Sequence, residues 1–175
     1  FTLELQKEYP LFEEKKFICK KNLIKKFSLR KELDDLQSLL FFSFLRFCFD
    51  DGDLGRYQFE NCLKEEKVSP ISKDNEILVL KEIQKLTTKY LAEYKQTLEQ
   101  DYQMLKSQSL TFNQRNCCVM RISEKEIFHF YLELAKFIIY ILGSEPSEIY
   151  KSFSEGKDQR LEIYRPYLNQ IKDIL

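Results

Sequence analysis

One histidine, His129, and two adjacent cysteines, Cys117 and Cys118, are the residues of this chain whose chemistry most often supports catalysis or metal binding. His129 lies among phenylalanines and tyrosines, and no Cys, Asp or Ser stands at a motif spacing from it. Adjacent side chains on a helix point about 100° apart, so the cysteine pair alone does not form a tetrahedral metal site. Packed or surface side chains are therefore favoured over a reactive centre at both places.

The Asp-rich loop DDGDLG, residues 50–55, offers oxygen ligands but lacks the spacing and the closing glutamate of an EF-hand, which favours a plain turn over a calcium site. The sequence also has no glycine-rich nucleotide loop, no G-x-S-x-G elbow and no H-E-x-x-H zinc motif. Carboxylate pairs are frequent, but none is singled out by an apolar setting that would shift its pKa. The residues predict no catalytic, cofactor-binding or metal-binding group.

The composition favours a helical protein of one domain. The chain has 175 residues, of which 43% are hydrophobic and 32% charged, which is enough apolar content for a core. Only four Gly and four Pro occur, so long helices are favoured over a many-stranded sheet. Basic and acidic residues balance at 28 each, and most of the ten tyrosines lie at core spacing, so neither charge nor aromatic content favours a nucleic-acid partner.

The cysteines and the chain start bear on the compartment. Five cysteines form no C-x-x-C pair, and no signal peptide precedes them, which predicts reduced thiols in an intracellular protein, cytoplasmic or nuclear. The chain begins at Phe1 rather than Met, inside an expected strand, so we expect a fragment of a longer protein. Charged residues inside the apolar segments, such as Arg46, Glu133 and Lys136, argue against a membrane span.

The first third of the chain predicts a short strand followed by helices. Residues 1–5 alternate apolar and polar, which is typical of a strand, and no partner strand is evident nearby. Residues 11–27 predict an amphipathic helix with a lysine-rich outer face that is solvated rather than bound to an acidic partner. Residues 36–49 are apolar on nearly all sides and predict the central buried helix, and residues 56–65 predict a short one.

The remainder predicts long helices with a corner between them. A helix is expected over 74–94, and Thr97 with Gln100 forms a capping-box signal that starts a second helix at Leu98. Residues 110–142 form the longest periodic segment, which Gly143 should end, and residues 147–175 predict one or two closing helices interrupted near Gly156 and at Pro166. The main apolar stripe of the long segment consists of Ile127, Tyr131, Leu134, Ile138 and Ile141.

Four short motifs now stand in order between residues 74 and 127: DNE at 74–76, YKQTLEQD at 94–101, Leu110, and RISEKEI at 121–127. This order and spacing resemble the Rubisco methyltransferase substrate-binding domain, the C-terminal domain of SET-domain protein methyltransferases related to the Rubisco large-subunit lysine methyltransferase. The family pattern reads D-N-E, Y-x-T-T-[IL]-E-E-D, L-S-x-R and R-x-x-E-K-x-I-L. The resemblance covers residues 1–142 and is strongest over 74–127.

The chain departs from the family pattern at four positions. Gln96 stands where the family often has Thr, Gln100 where it has Glu, Asn113 where it has Arg, and Phe128 where it has Leu. Because an acidic and a basic position are lost together, the two are expected to be partners in relatives. Lysine and histidine targets both occur in the family, so the substrate is not carried over.

The resemblance implies an all-α, multi-helix bundle with long antiparallel helices over residues 1–175, in which the strand at 1–5 belongs to the edge of a SET half. It implies a non-catalytic module that binds a protein substrate and braces the SET domain of the same parent protein, where S-adenosylmethionine would bind. A stand-alone helical adaptor is the alternative, and a self-contained enzyme has little support. The structural motif residues are Asp74, Asn75, Glu76, Tyr94, Thr97, Glu99, Arg121 and Glu124, with Glu99 expected to pair with Arg121.

Overall fold

The computed structural model describes residues 2–4, 26–50, 69–107, 109–144 and 158–175. Two short strands open it: β1 (Thr2–Glu4) pairs antiparallel with β2 (Lys26–Ser28). The prediction that the opening strand has no nearby partner is therefore wrong, and so is the last turn of the predicted helix 11–27, because Lys26 and Phe27 lie in β2. Backbone pairing with β1 overrides the local amphipathic pattern there.

Helices account for the rest of the described architecture, which confirms the all-α prediction. They are α1 (Leu36–Cys48), α2 (Lys73–Glu93), α3 (Leu98–Lys106), α4 (Phe112–Gly143), α5 (Gln159–Ile163) and α6 (Arg165–Ile171), followed by a 3₁₀ turn at Lys172–Ile174. The remaining part of the predicted helix at 11–27, the helix at 56–65 and the Asp-rich loop beyond Asp50 lie outside the described residues.

The core is centred on α1, as its all-round apolar pattern predicts. Phe41, Phe42 and Leu45 are almost completely buried, and they share one apolar cluster with side chains of α2, α4 and α6. Helices α2 and α4 run antiparallel, because Tyr90 stacks on Phe128 at 5.7 Å between ring centroids while the later Tyr94 meets the earlier Glu124. The long antiparallel pair therefore forms the wall against which α1 and α6 pack.

Side-chain caps fix where the helices begin. Thr97 accepts from the Gln100 N–H at 3.2 Å and Gln100 accepts from the Thr97 N–H at 2.8 Å, which confirms the predicted capping box at the start of α3. A second box at Thr111, with Gln114, starts α4 and was not predicted. Gly143 is the last residue of α4, as expected. Helices α5 and α6 break at Tyr164, with Pro166 in the first turn of α6.

Candidate functional site at the two ends of α2

The residues of the DNE and YKQTLEQD motifs lie at opposite ends of α2. Asn75 is in its first turn and Tyr94 is its C-cap residue, which places them about 28 Å apart at a rise of 1.5 Å per residue. A buried carboxylate organises each end: Glu76 at the start of α2, and Asp101 of α3 beyond its end. We refer to the Glu76 network (Arg46, Asn75, Glu76 and Tyr167) and the Asp101 network (Gln96, Asp101, Cys118, Arg121 and Lys125).

The Glu76 network joins three helices by a fully buried ion pair. Arg46 of α1 donates from Nε and Nη2 to the two carboxylate oxygens of Glu76, both at 2.7 Å. The hydroxyl of Tyr167, on α6, donates to the same carboxylate, and Asn75 donates from Nδ2 to the Arg46 carbonyl at 2.9 Å. A bidentate pair with these additional bonds is the arrangement that a buried charge requires.

Burial and charge shift the pKa values of Arg46 and Tyr167. Burial tends to lower the pKa of Arg46, but the adjacent carboxylate of Glu76 outweighs it and the pKa lies above its ordinary value. Burial and the charge of Glu76 raise the pKa of Tyr167, so its phenol keeps the proton that it donates. The guanidinium of Arg46 therefore stays charged and the phenol of Tyr167 stays neutral.

The Asp101 network fixes the corner where α3 turns back onto α4. Arg121 donates to Asp101 Oδ1 from Nε at 3.1 Å and from Nη2 at 2.7 Å. Lys125 donates to Oδ2 of the same carboxylate and to the Gln96 carbonyl at 2.6 Å. The Cys118 thiol donates to the Asp101 carbonyl at 3.2 Å. One carboxylate thus binds two cations of α4, one turn apart, and one of these cations, Lys125, also binds the segment between α2 and α3.

Burial and charge oppose each other at Asp101. Its burial tends to raise the pKa, but the hydrogen bonds and charges of Arg121 and Lys125 prevail and hold the pKa of the carboxyl below its ordinary value.

The Lys125 ammonium also lies 4.7 Å from the centroid of the Tyr94 ring, and Tyr94 donates to Glu124 at 2.7 Å. Three residues of the YKQTLEQD motif, Tyr94, Gln96 and Asp101, therefore contact the RISEKEI motif directly, and sequence spacing alone had not shown this.

The structure corrects one sequence prediction at this corner. Arg121 pairs with Asp101 rather than Glu99, because positions two apart on a helix point to nearly opposite sides; Glu99 is exposed and accepts from Gln103 at 2.6 Å. Asp101, which the sequence did not single out, is completely buried, and Arg121 and Lys125 lower its pKa against the effect of burial.

The predicted motif residues thus separate into two groups and a remainder. Asn75 and Glu76 belong to the Glu76 network, while Tyr94, Thr97, Arg121 and Glu124 surround the Asp101 corner. Asp74 and Glu99 are exposed. One missed partner did have a signal in the sequence: Arg46 is the only cation in a largely apolar helix, so it needs a buried anion. Asp101, Lys125 and Tyr167 were missed for want of such a signal.

The remaining candidates for catalysis or metal binding are His129, Cys117 and Cys118. His129 and Cys117 are exposed, whereas Cys118 is buried. Within the described ranges, no group of three or more His, Cys, Asp and Glu side chains is arranged to hold a metal ion. A partly open apolar cleft of about 230 Å³, open solvent included, lies below the usual size of a ligand pocket. Its lining residues are Leu29, Phe41, Ile83, Leu86, Thr87, Tyr90 and Phe128.

Comparison with known proteins agrees with the motif geometry. Residues 6–128 match the family model described as Rubisco LSMT substrate-binding, and the chain therefore belongs to that family. No curated protein and no solved structure matches the chain. Across the part of the chain that the structure describes, no helix combines the length and apolar character needed to cross a membrane.

Proposed function

We propose that this chain is the non-catalytic, substrate-binding module of a SET-type protein methyltransferase that uses S-adenosylmethionine. The observation that carries the proposal is the family match over residues 6–128, which covers the whole Asp101 network and every member of the Glu76 network except Tyr167. In this proposal the module holds a protein substrate beside the SET cleft and braces that cleft. Methyl transfer and binding of S-adenosylmethionine belong to the SET half.

The two networks support a framework role rather than a reactive one. Glu76 and Asp101 each receive donors from at least two side chains, so neither carboxylate is available as a general base. Because the Asp101 network ties α3 to α4 at buried positions, the first half of α4 is held in a defined orientation relative to α2. A surface carried by rigid helices presents a partner with little loss of conformational entropy.

A transfer assay tests the division of labour. The purified chain, incubated with tritiated S-adenosylmethionine and a lysate of the source cells, is expected to label no protein, whereas the parent protein with its SET core labels its substrate. The labelled substrate is then identified by mass spectrometry, purified and titrated against the chain alone by calorimetry. Binding with a Kd near the KM of the parent supports the proposal.

Three outcomes would contradict it. Methyl transfer by the chain alone would assign catalysis to these residues. A substrate that binds the parent but not the chain would confine recognition to the SET cleft. A reading frame without SET motifs upstream of Phe1 would favour the alternative, a stand-alone helical adaptor.

A further inference from the structure

Helix α4 changes its buried face near its middle. In the first half Cys118, Ile122 and Lys125 are buried, at spacings of four and three residues, and they face α3. The next position of that stripe, His129, is exposed. In the second half the buried stripe is Tyr131, Leu134, Ile138 and Ile141, on nearly the opposite side of the helix at 100° per residue.

The buried stripe of the second half continues into the first half as an exposed one. Leu134, Ile127 and Met120 follow each other at seven-residue steps, and they are respectively buried, half-buried and 65% exposed. Phe112 and Val119, also seven residues apart, lie within about 100° of Met120 around the helix axis and are 77% and 44% exposed. We call Phe112, Val119 and Met120 the α4 stripe. Three large apolar side chains on one helix face are typical of a binding surface.

Aromatic packing shows what covers this face farther along the helix. Tyr164, between α5 and α6, packs on Phe130 and Phe137 at 5.4 and 5.6 Å between ring centroids. Phe42 of α1 packs on Tyr131 at 6.1 Å. The α4 stripe is therefore continuous with a face that takes apolar side chains of neighbouring elements, and a partner helix would extend the same packing toward the start of α4.

The segment of the sequence that contains the stripe carries charges of one sign. Between Tyr102 and Ser123 the sequence has Lys106, Arg115 and Arg121 and no Asp or Glu. Arg121 is paired with Asp101, whereas Lys106 and Arg115 are exposed. The positive end of the α4 dipole adds to this field. A partner with carboxylates beside its apolar residues would be complementary to the stripe, and a basic one would be repelled.

We propose that the α4 stripe binds a protein segment of the substrate that presents apolar side chains flanked by Asp or Glu. This inference rests on the proposed function and names the chemical class of the segment. Such a segment would lay its apolar side chains on Phe112, Val119 and Met120. Its carboxylates would lie near Arg115.

Labelled peptides test the inference against the whole chain. The first, about 14 residues long, places Leu and Phe at helical i, i+3, i+4 and i+7 positions with Glu elsewhere; the second replaces Glu by Lys; the third replaces Leu and Phe by Ser. Fluorescence anisotropy is expected to detect binding of the first alone. The double substitution Phe112→Ser with Met120→Ser should weaken it by about tenfold or more.

Matched control variants distinguish binding at the α4 stripe from nonspecific binding to exposed apolar side chains. Tyr140→Ser removes an equally exposed apolar side chain, 66% exposed, from the far end of the same helix and should leave the affinity unchanged. Arg115→Glu should weaken binding of the Glu peptide and strengthen binding of the Lys peptide. Because all four positions are exposed, circular dichroism and urea unfolding should show wild-type folding for each variant.

Several results would overturn the inference. These are no binding of the Glu peptide, equal binding of the Lys peptide, or equal loss with Tyr140→Ser. Self-association that disappears in the double variant would instead assign the stripe to a second copy, and stripe-dependent binding to phosphatidylserine vesicles would assign it to a membrane surface.

The parent enzyme separates failure of this inference from failure of the proposed function. With its identified substrate, the double variant should raise KM by about tenfold and leave kcat unchanged. An unchanged KM, together with substrate binding by the wild-type chain, would overturn the stripe alone. A wild-type chain that does not bind the substrate would overturn the proposed function itself.

Discussion

The Glu76 and Asp101 networks each compensate a buried carboxylate, at opposite ends of α2, but they do so with different numbers of cations. Glu76 is matched by a single guanidinium and a phenol, and the pair is sealed: both side chains are at most 1% exposed. Asp101 binds two cations, of which Lys125 is buried and Arg121 is 32% exposed. A buried ion pair with no net charge is suited to holding α1, α2 and α6 together. The Asp101 network instead has one more cation than anions, and one of these cations, Arg121 in the first half of α4, lies close to the surface.

The difference predicts unequal costs when the anion is removed. Glu76→Gln leaves Arg46 charged and buried without a counter-ion, so we expect a loss of about 3–5 kcal/mol in the free energy of unfolding. Urea unfolding followed by circular dichroism measures it. Replacing both partners, by Arg46→Met with Glu76→Leu, should recover much of the loss, because the desolvation penalty disappears with the charges. A double variant no more stable than Glu76→Gln would contradict this account.

At the corner the same change should cost less. Asp101→Asn leaves Lys125 buried, but Arg121 can turn toward solvent, so we expect about 2–3 kcal/mol in the same urea experiment. Glu99→Gln is the matched control on the exposed side of α3 and should change stability by less than about 0.5 kcal/mol. If Glu99→Gln were the more damaging, the pairing predicted from sequence would stand and the observed one would not.

These costs bear on what the sequence could predict. Periodicity and caps predicted the helices well, including the restart at Thr97, because those signals are local. The partners of Arg46 and Arg121 are tertiary contacts 30 and 20 residues away. Helix α3 is polar on most sides, so its pattern did not reveal that Asp101 rather than Glu99 faces inward. The β1–β2 pairing was missed because its strands are three residues each and far apart in sequence.

The α4 stripe illustrates the same limit at the level of function. The sequence predicted the apolar stripe of Ile127, Tyr131, Leu134, Ile138 and Ile141, and in the structure the last four of these residues are buried. Which residues of the first half stay exposed depends on where α3, α1 and Tyr164 pack. Pattern identifies an apolar face, whereas only the assembled fold shows whether that face is already occupied.

Low pH should reduce the contribution that Asp101 makes to the free energy of unfolding. Because the folded pKa of Asp101 is depressed, the unfolded chain binds more protons than the folded one once pH falls toward the ordinary aspartate pKa of 3.8. The contribution of Asp101 is therefore fully present above that pH and is lost as pH falls through the folded pKa. Urea midpoints from pH 7 to pH 3 should show the gap between wild type and Asp101→Asn narrowing at the acid end. A gap that widens with acid would contradict the assigned charge state.

Removing the N-cap at Thr97 should give the smallest loss of stability. The experiment also tests whether the cap and the Asp101 network stabilise the corner independently. Thr97→Ala removes the side chain that accepts from the Gln100 N–H, and we expect a loss of about 1 kcal/mol, typical of an N-cap. Thr88→Ala, at an exposed position inside α2, is the control and should be neutral or slightly stabilising, because Ala is the better helix former. Combined with Asp101→Asn, the loss at Thr97 should stay additive if the two devices act independently. A combined loss well above the sum would mean that the cap and the network hold the corner jointly, so that either alone preserves the orientation of α4.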